Sequence, residues 1–179
     1  DFSHEYVKHA NNILSMKEVV QGDALNYNFN KKFDVAINWF SSFGYFGDSD
    51  NQKLLNNIYA HLKDNGRFLL EVFNSYNIVS NYTECFKYEK SYKGSPVYVE
   101  RKSHFELSSR ILRQHWIFDY NNIKTEYHTE NKIYFIDEIF ERMSLAGFKN
   151  IQCFERLEHD IILKPATLDS KRIIFTGEK

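Results

Sequence analysis

Two aspartates in the first part of the sequence are placed where a carboxylate could bind a ligand. Asp1 opens the chain, and Asp23 follows Gly22 after a short apolar segment. A carboxylate oxygen accepts hydrogen bonds from the hydroxyl or amino groups of a small molecule. The structural alternative is that Asp1 flanks a helix and that Asp23 is a turn residue after glycine. Each aspartate taken alone fits that alternative as well.

Aromatic residues follow an apolar run, Phe33 to Phe40, that has the character of a buried parallel strand. Open α/β sheets bind ligands beyond the carboxyl ends of their strands, so Phe40, Phe43 and Tyr45 could form the wall of a pocket. They could also attract a bound cation through their ring faces. The alternative for Phe40 and Phe43 is a place in the core.

Histidines and arginines later in the chain are weaker candidates. His104, His115 and His128 alternate with other residues in strand-like segments, and a histidine can act as a base. Of these, His104 and His115 are kept as weak catalytic candidates, together with Tyr45. A surface position is the alternative for each histidine.

Composition excludes several classes of protein. The net charge is −1, and no run of lysine or arginine suggests a nucleic-acid partner. No apolar stretch approaches the roughly 20 residues of a membrane-spanning helix, so we expect no membrane partner and a cytoplasmic location. Cys85 and Cys153 are too far apart for a metal-binding pair, and no metal site is predicted.

The elements around these residues have an α/β pattern. Ser3 is a candidate N-cap for a helix to Leu14 with one apolar face, and residues 18–21 form a short predicted strand. A helix is predicted from about Asp50 to Lys63, with Gly66 in a left-handed turn, and a buried strand from Arg67 to Phe73. Strand, helix and strand make one βαβ unit.

The pattern changes to period two between residues 86 and 134, which predicts an antiparallel β meander inserted into the α/β core. A helix follows from Phe135 to a stop at Gly147. Segments 150–156 and 172–176 are predicted as a final strand pair at the edge of the sheet.

Several segments together resemble the class I S-adenosylmethionine-dependent methyltransferases of the small-molecule type. The phrases are FDVAINWF, HLKDNGRFLLEV, IYFIDEIFERMSLAGFKNI and the final SKRIIFTGEK. The resemblance implies a Rossmann-like sheet in the order 3-2-1-4-5-7-6, with strand 7 antiparallel. It also implies S-adenosylmethionine as the cofactor and a small-molecule acceptor as the partner.

The resemblance assigns roles to individual residues. Asp1 would hold the two ribose hydroxyls, and Phe2 would lie against the adenine. Asp23 would accept from the adenine amino group, and the Ala24 amide would donate to a ring nitrogen. The loop after the next strand would flank the methionine part of the cofactor through Asn38 and Phe40. The candidates for contact with the acceptor are Phe43, Tyr45, Arg101 and Arg172, and the alternative for Arg172 is that it pairs with an acidic residue.

The same resemblance begins only at the end of the family's second strand. Strands 1 and 2 and the glycine-rich loop would therefore precede Asp1, and we expect a single domain, residues 1–179, that is incomplete at its N-terminus. The missing part could belong to a longer chain or to a complementing chain, or the region could repack. Residues 1–179 alone are expected to bind the cofactor weakly.

The sequence thus predicts transfer of a methyl group to a nitrogen or oxygen of a small molecule, with residues 86–134 covering the acceptor. The alternative is a methyltransferase-like remnant or binding partner without turnover. A nicotinamide-dependent enzyme is disfavoured, because no glycine fingerprint follows a strand.

Overall fold

The computed structural model describes residues 1–14, 19–156 and 164–179. The elements, in chain order, are α1 His4–Leu14, β1 Phe33–Asn38, α2 Asp48–His61, β2 Leu62–Phe73, α3 Ser75–Ser80, β3 Cys85–Tyr92, β4 Ser95–Glu106, β5 Ile111–Tyr120, β6 Ile123–Lys132, α4 Ile136–Ala146, β7 Lys149–Glu155, β8 Lys164–Pro165 and β9 Arg172–Glu178.

The first sheet has the order β1-β2-β9-β7-β8. Strands β1 and β2 are parallel, whereas β9 runs antiparallel to both β2 and β7. This arrangement reproduces the 4-5-7-6 part of the expected strand order, with the last strand of the chain inserted antiparallel. The prediction of a Rossmann-like α/β fold is confirmed. The predicted final strand pair exists, but β9 lies inside the sheet because it pairs on both sides.

The core lies between this sheet and helices α2 and α4. Leu55 of α2 and Ile139 of α4 are fully buried against Phe68 and Phe175 of the sheet. Burial of such side chains contributes about 1.5–3 kcal/mol each to folding. Gly147 ends α4 in the left-handed conformation, with φ 108°, as the sequence predicted.

The second sheet is the antiparallel meander, with the order β3-β4-β5-β6. Its turns fall at residues 93–94, 107–110 and 121–122, between the alternating segments of the sequence. Alternation sends successive side chains to opposite faces, so one face of this sheet is directed toward the α/β core and the other away from it.

The first helix differs from the sequence prediction in its packing. It begins after Ser3, whose hydroxyl accepts from the Tyr6 amide at 3.3 Å. Of its apolar face only Val7 is buried, while Tyr6, Ile13 and Leu14 are exposed. Within the described residues β1 is an edge strand, so this helix has no neighbouring strand to pack against.

Two local predictions were wrong. Residues 19–21 do not form a strand. The amide and carbonyl of Val19 are both hydrogen-bonded to the Asn11 side chain, and the Val20 carbonyl accepts from the N-terminal amine of Asp1 at 3.0 Å. Glu18, the other residue of that predicted strand, lies outside the described residues. The left-handed turn after α2 is taken by Asn65, with φ 62°, and not by Gly66. Asparagine tolerates this conformation better than most residues.

Within the described ranges, no helix combines the length and apolar character required to cross a membrane.

Candidate active site

A cavity of about 920 Å³ extends along β1, from Phe33 to Asn38 at the carboxyl end of the strand, and we call it the N-terminal cavity. Its other walls are formed by residues between 1 and 29 and by the face of α2 that carries Leu54, Ile58 and His61. Its volume falls in the range that accommodates a cofactor-sized ligand. The sequence-predicted residues that line it are Asp1, Phe2, Asp23, Ala24, Asn38 and Tyr45.

Local backbone contacts orient the two carboxylates of this cavity. Asp1 Oδ1 accepts from the Ser3 amide at 2.8 Å. Asp23 Oδ1 accepts from the Leu25 amide at 2.9 Å, and its Oδ2 accepts from Asn26 Nδ2 at 3.1 Å. These bonds are the local contacts expected if Asp1 only flanks a helix and Asp23 is only a turn residue. They leave each carboxylate with further lone pairs, because each oxygen can accept more than one hydrogen bond.

Asn38 contributes an unsatisfied polar atom. It is the last residue of β1, and its Oδ1 is buried without a hydrogen-bond partner in the described part of the chain. Buried acceptors are almost always paired in folded proteins, so an unpaired one at a cavity calls for an explanation. A ligand with a donor group would provide the missing partner.

The loop after β1 is held in a strained conformation. Phe40 and Ser41 both have positive φ, 57° and 55°, which non-glycine residues avoid. The Phe40 amide donates to Glu71 Oε2 at 2.7 Å, and Arg172 donates to the Ser41 hydroxyl. Strain of this kind, of the order of 1–3 kcal/mol per residue, persists only where surrounding contacts impose it.

Glu71 is the centre of those contacts. Its side chain is 0% exposed, and its Oε1 accepts from Arg156 at 2.7 Å and from Arg172 at 3.0 Å. Neither Glu71 nor Arg156 was among the sequence candidates. The sequence did contain a signal for this group: Glu71 is a charged residue inside the apolar run Phe68–Phe73. A charge buried in a strand requires a partner of opposite charge.

The loop aromatics have divergent positions. Phe43 is 4% exposed and packs against Tyr134, with ring centroids 5.4 Å apart, so it belongs to the core. Phe40 is 69% exposed, and its ring centroid lies 5.4 Å from the guanidinium carbon of Arg156. Phe40 and Phe43 do not line the N-terminal cavity, whereas Tyr45 does.

A network of polar side chains holds the loop after β1 at Gly44, near its C-terminal end. Asn51 is fully buried, and its Oδ1 accepts from the Gly44 amide at 3.2 Å. Tyr134 donates its hydroxyl to Asp48 Oδ1 at 2.7 Å. This hydrogen bond, with the nearby charges of Lys132 and Arg142, lowers the pKa of Asp48. Burial is the main cause that raises the pKa of Tyr134 above its usual value.

A second cavity, of about 270 Å³, lies between the meander and the first sheet, and we call it the inter-sheet cavity. Arg101 of β4 and Arg172 of β9 both line it, with Phe73, Tyr82 and others. Arg172 lies over the Phe73 ring at 4.5 Å from its centroid. The structure thus brings together two of the residues predicted to contact an acceptor.

Arg101 carries an unsatisfied donor into this region. Its Nε is buried without a partner among the described residues, and its guanidinium lies 5.6 Å from the Trp116 ring centroid. The alternation of β4 places Arg101 and Ser103 at the inter-sheet cavity, and Lys102 and His104 on the other face. That unpaired Nε is a candidate contact for a ligand.

The histidine candidates lie away from both cavities. His104 and His115 line a shallow depression of about 350 Å³ on the outer face of the meander. His115 Nε2 lies 2.7 Å from Glu126 Oε2. The same alternation that points Arg101 inward directs both histidines outward, so neither is brought near Tyr45 or Asn38.

Comparison with known proteins identifies the fold around these cavities. A family model described as a methyltransferase domain matches residues 1–66. No curated protein is significantly similar to the chain in sequence.

Solved structures match nearly the whole chain. An S-adenosylmethionine-dependent methyltransferase from Clostridium acetobutylicum superposes with a TM-score of 0.81 at 19% identity, covering 99% of this chain and 72% of that one. The methyltransferase CcbJ of Streptomyces caelestis gives 0.83 at 11% identity, with 99% and 76% covered. The sugar N-methyltransferase KedS8 of Streptoalloteichus gives 0.76 at 14%, with 100% and 69% covered.

Proposed function

We propose that this chain, a class I S-adenosylmethionine-dependent methyltransferase by its fold and its domain match, methylates a nitrogen or oxygen of a small molecule. The observation that carries the proposal is the pairing of two cavities across one loop. Asn38 at the end of β1 and Tyr45 on the loop line the N-terminal cavity, while Arg172, which donates to Ser41 of the loop, lines the inter-sheet cavity. A donor and an acceptor of a methyl group would then meet at the loop.

The residues of the N-terminal cavity fit S-adenosylmethionine. Asp1 would accept from the two ribose hydroxyls, and Phe2 would lie against the adenine. Asp23 would accept from the adenine amino group, with the Ala24 amide donating to a ring nitrogen. The unpaired Oδ1 of Asn38 would accept from the amino group of the methionine part. Each proposed hydrogen bond joins a donor or acceptor of this cavity to a group of opposite type on the cofactor.

The chemistry requires positioning more than side-chain reactivity. The cofactor, when bound, supplies a methyl group on a positively charged sulfur that is open to in-line attack. The chain has to hold the attacking atom in line and exclude water, which can account for several kcal/mol of barrier lowering. Glu71 and Arg172 do this indirectly, since they fix the loop after β1.

The inter-sheet cavity suits a polar acceptor. Among the described residues that line it are three basic ones, Arg101, Lys171 and Arg172, and no aspartate or glutamate. Acceptor oxygens on the substrate would pair with the free Arg101 Nε, which favours a molecule that has hydroxyl or anionic groups besides the methylated atom. The sugar N-methyltransferase among the structural neighbours acts on a substrate of this polar kind. Arg101 and Arg172 are the acceptor-binding residues of this proposal, with Tyr45 at the junction.

The test is a calorimetric titration of the full-length protein with S-adenosylhomocysteine. Asp23→Ala should weaken binding by about 1–3 kcal/mol, the value of a lost hydrogen bond to a ligand. Asp50→Ala is the matched control, because Asp50 forms a surface pair with Lys53 at 2.7 Å and should bind like the wild type. Absence of any binding to the full-length wild-type protein would refute the proposal.

Methyl transfer itself is tested with a panel of amino- and hydroxyl-bearing small molecules. Products should gain one methyl group by mass spectrometry, with S-adenosylhomocysteine formed in equal amount. Cofactor consumption without a methylated product would contradict the proposed transfer.

A further inference from the structure

We propose that His115, Glu126 and His128 form a binding site for a divalent transition-metal ion on the outer face of the meander. The site is independent of methyl transfer, because it lies on the face of β5 and β6 that points away from Arg101 and the inter-sheet cavity. The sequence prediction contained no metal site. The residues are dispersed along the chain and become neighbours only through strand pairing.

Strand register brings the three side chains to one face. His115 of β5 pairs directly with His128 of β6, and Glu126 stands two residues before His128 on the same strand. Residues two apart on a strand point to the same side, so Glu126 and His128 are directed alike. Paired positions have neighbouring side chains, and His115 therefore completes the group.

The distances already approach those of a metal site. The two imidazole rings stack with centroids 4.3 Å apart and planes at 12°. His115 Nε2 and Glu126 Oε2 are 2.7 Å apart, and one ligand atom from each residue lies within 4.8 Å of the others. Ligand atoms bound tetrahedrally to zinc are about 3.3 Å from one another, given metal–ligand lengths near 2.0–2.1 Å. Because the lone pairs of parallel stacked rings do not converge, the two imidazoles have to turn toward each other before the three atoms reach that spacing.

The ligand set selects the class of ion. Two imidazole nitrogens and one carboxylate oxygen suit zinc, nickel or copper, whereas magnesium and calcium prefer oxygen alone. Three protein ligands leave a coordination position for water. All three side chains are at least partly accessible, so an ion can reach them from solvent.

Neighbouring charges permit a cation here. The unfavourable charges are Lys102 of β4, which pairs with His115 from the other side, and Arg113, which lines the same depression and is offset by Glu106 and Glu130. Glu100 lies 3.6 Å from the Lys102 ammonium and offsets it. Glu126 brings a negative charge to the ion directly.

Binding would join the edge of the meander to its interior. Strand β6 is the edge strand of its sheet and is exposed along most of its length. A metal held by β5 and β6 together binds the folded protein alone and stabilises it.

Calorimetric titration of the full-length protein, free of any polyhistidine tag, with zinc chloride tests the site. The wild type should bind one ion, and His128→Asn or Glu126→Gln should lower the affinity at least about tenfold, since even outer-shell losses cost 10–100-fold. His104→Asn is the matched control, because His104 shares this face one row away and pairs with Arg113. It should leave the affinity unchanged, and magnesium chloride should give no binding.

Histidine ring signals of the wild-type protein in NMR give a second measurement that needs no variant. Zinc should shift the His115 and His128 signals and leave those of His104 in place. The proposal is overturned if zinc binds the wild type no more tightly than a His115→Asn, His128→Asn double variant. Equal loss in His104→Asn, or unmoved His115 and His128 signals at saturating zinc, also overturns it.

Discussion

Glu71 holds the loop after β1 through the Phe40 amide. Its carboxylate has no exposure to solvent and pairs with Arg156 and Arg172, while its second oxygen accepts from the Phe40 amide. Moving such a group from water into the interior is expensive, so it remains only where every oxygen has partners. The backbone strain at Phe40 and Ser41 is maintained by the same contacts.

Glu71→Gln should therefore lower the free energy of unfolding by about 3 kcal/mol, because it leaves two partly buried guanidinium groups without their counter-charge. Urea denaturation followed by circular dichroism measures the change. Asp34→Asn removes a different carboxylate, one that contacts Lys63 at the surface at 2.9 Å, and should leave the midpoint unchanged. Equal effects of the two substitutions would show that burial does not determine the importance of Glu71.

Gly44 connects two structural elements, the loop after β1 and the end of β6. Its carbonyl accepts from the Lys132 amide at 2.7 Å, and its φ is 106°. A Cβ at this position would lie 2.4 Å from the Lys132 carbonyl oxygen, which is backbone and cannot rotate away. The meander and the loop can approach this closely only with glycine here.

Gly44→Ala should destabilise the protein, by about 2 kcal/mol or more, because strain at positive φ adds to the steric clash. Thermal unfolding measures it. Gly47→Ala is the matched control, since a Cβ there meets nothing within 4 Å and φ is −68°. Gly47→Ala should cost much less than Gly44→Ala, and a larger loss at Gly47 would contradict the role given to Gly44.

Local patterns in the sequence predicted most elements, because their causes are local. Period-two alternation identified the meander, and the glycine after Ala146 marked the end of α4. Two failures were local, the strand at residues 19–21 and the turn at Gly66, and the others involve contacts between distant residues. Arg172 is 101 positions from Glu71, and no local pattern indicates that pair. The cofactor contacts assigned to Asp1 and Asp23 rest on their joint spacing and on the family resemblance, and they stay predictions. The outward orientation of His104 and His115 depends on strand register, which the sequence did not define.

At the scale of the whole molecule, the meander has two faces with different roles. The inner face brings Arg101 to the inter-sheet cavity, and the outer face carries the His115, Glu126 and His128 group. The meander is attached to the core beside α4, where Arg110 lies 2.6 Å from Glu138 and the Ile133 amide donates to the Arg110 carbonyl at 2.9 Å. Both groups of residues therefore depend on one sheet, while their chemistry remains separate.

Arg101→Met should raise the KM for the acceptor about tenfold or more, the kinetic equivalent of losing one charge-assisted hydrogen bond. The affinity for S-adenosylhomocysteine should not change, because Arg101 does not line the N-terminal cavity. Methionine keeps an unbranched apolar side chain at this position and removes the guanidinium that lies over the Trp116 ring. Arg113→Met is the control from the outer face, where Arg113 pairs with Glu106 and Glu130 at 3.0 and 2.8 Å, and it should leave KM unchanged. Steady-state kinetics with calorimetry distinguishes the outcomes. An unchanged KM in Arg101→Met, or an equal rise in Arg113→Met, would place the acceptor away from the inner face.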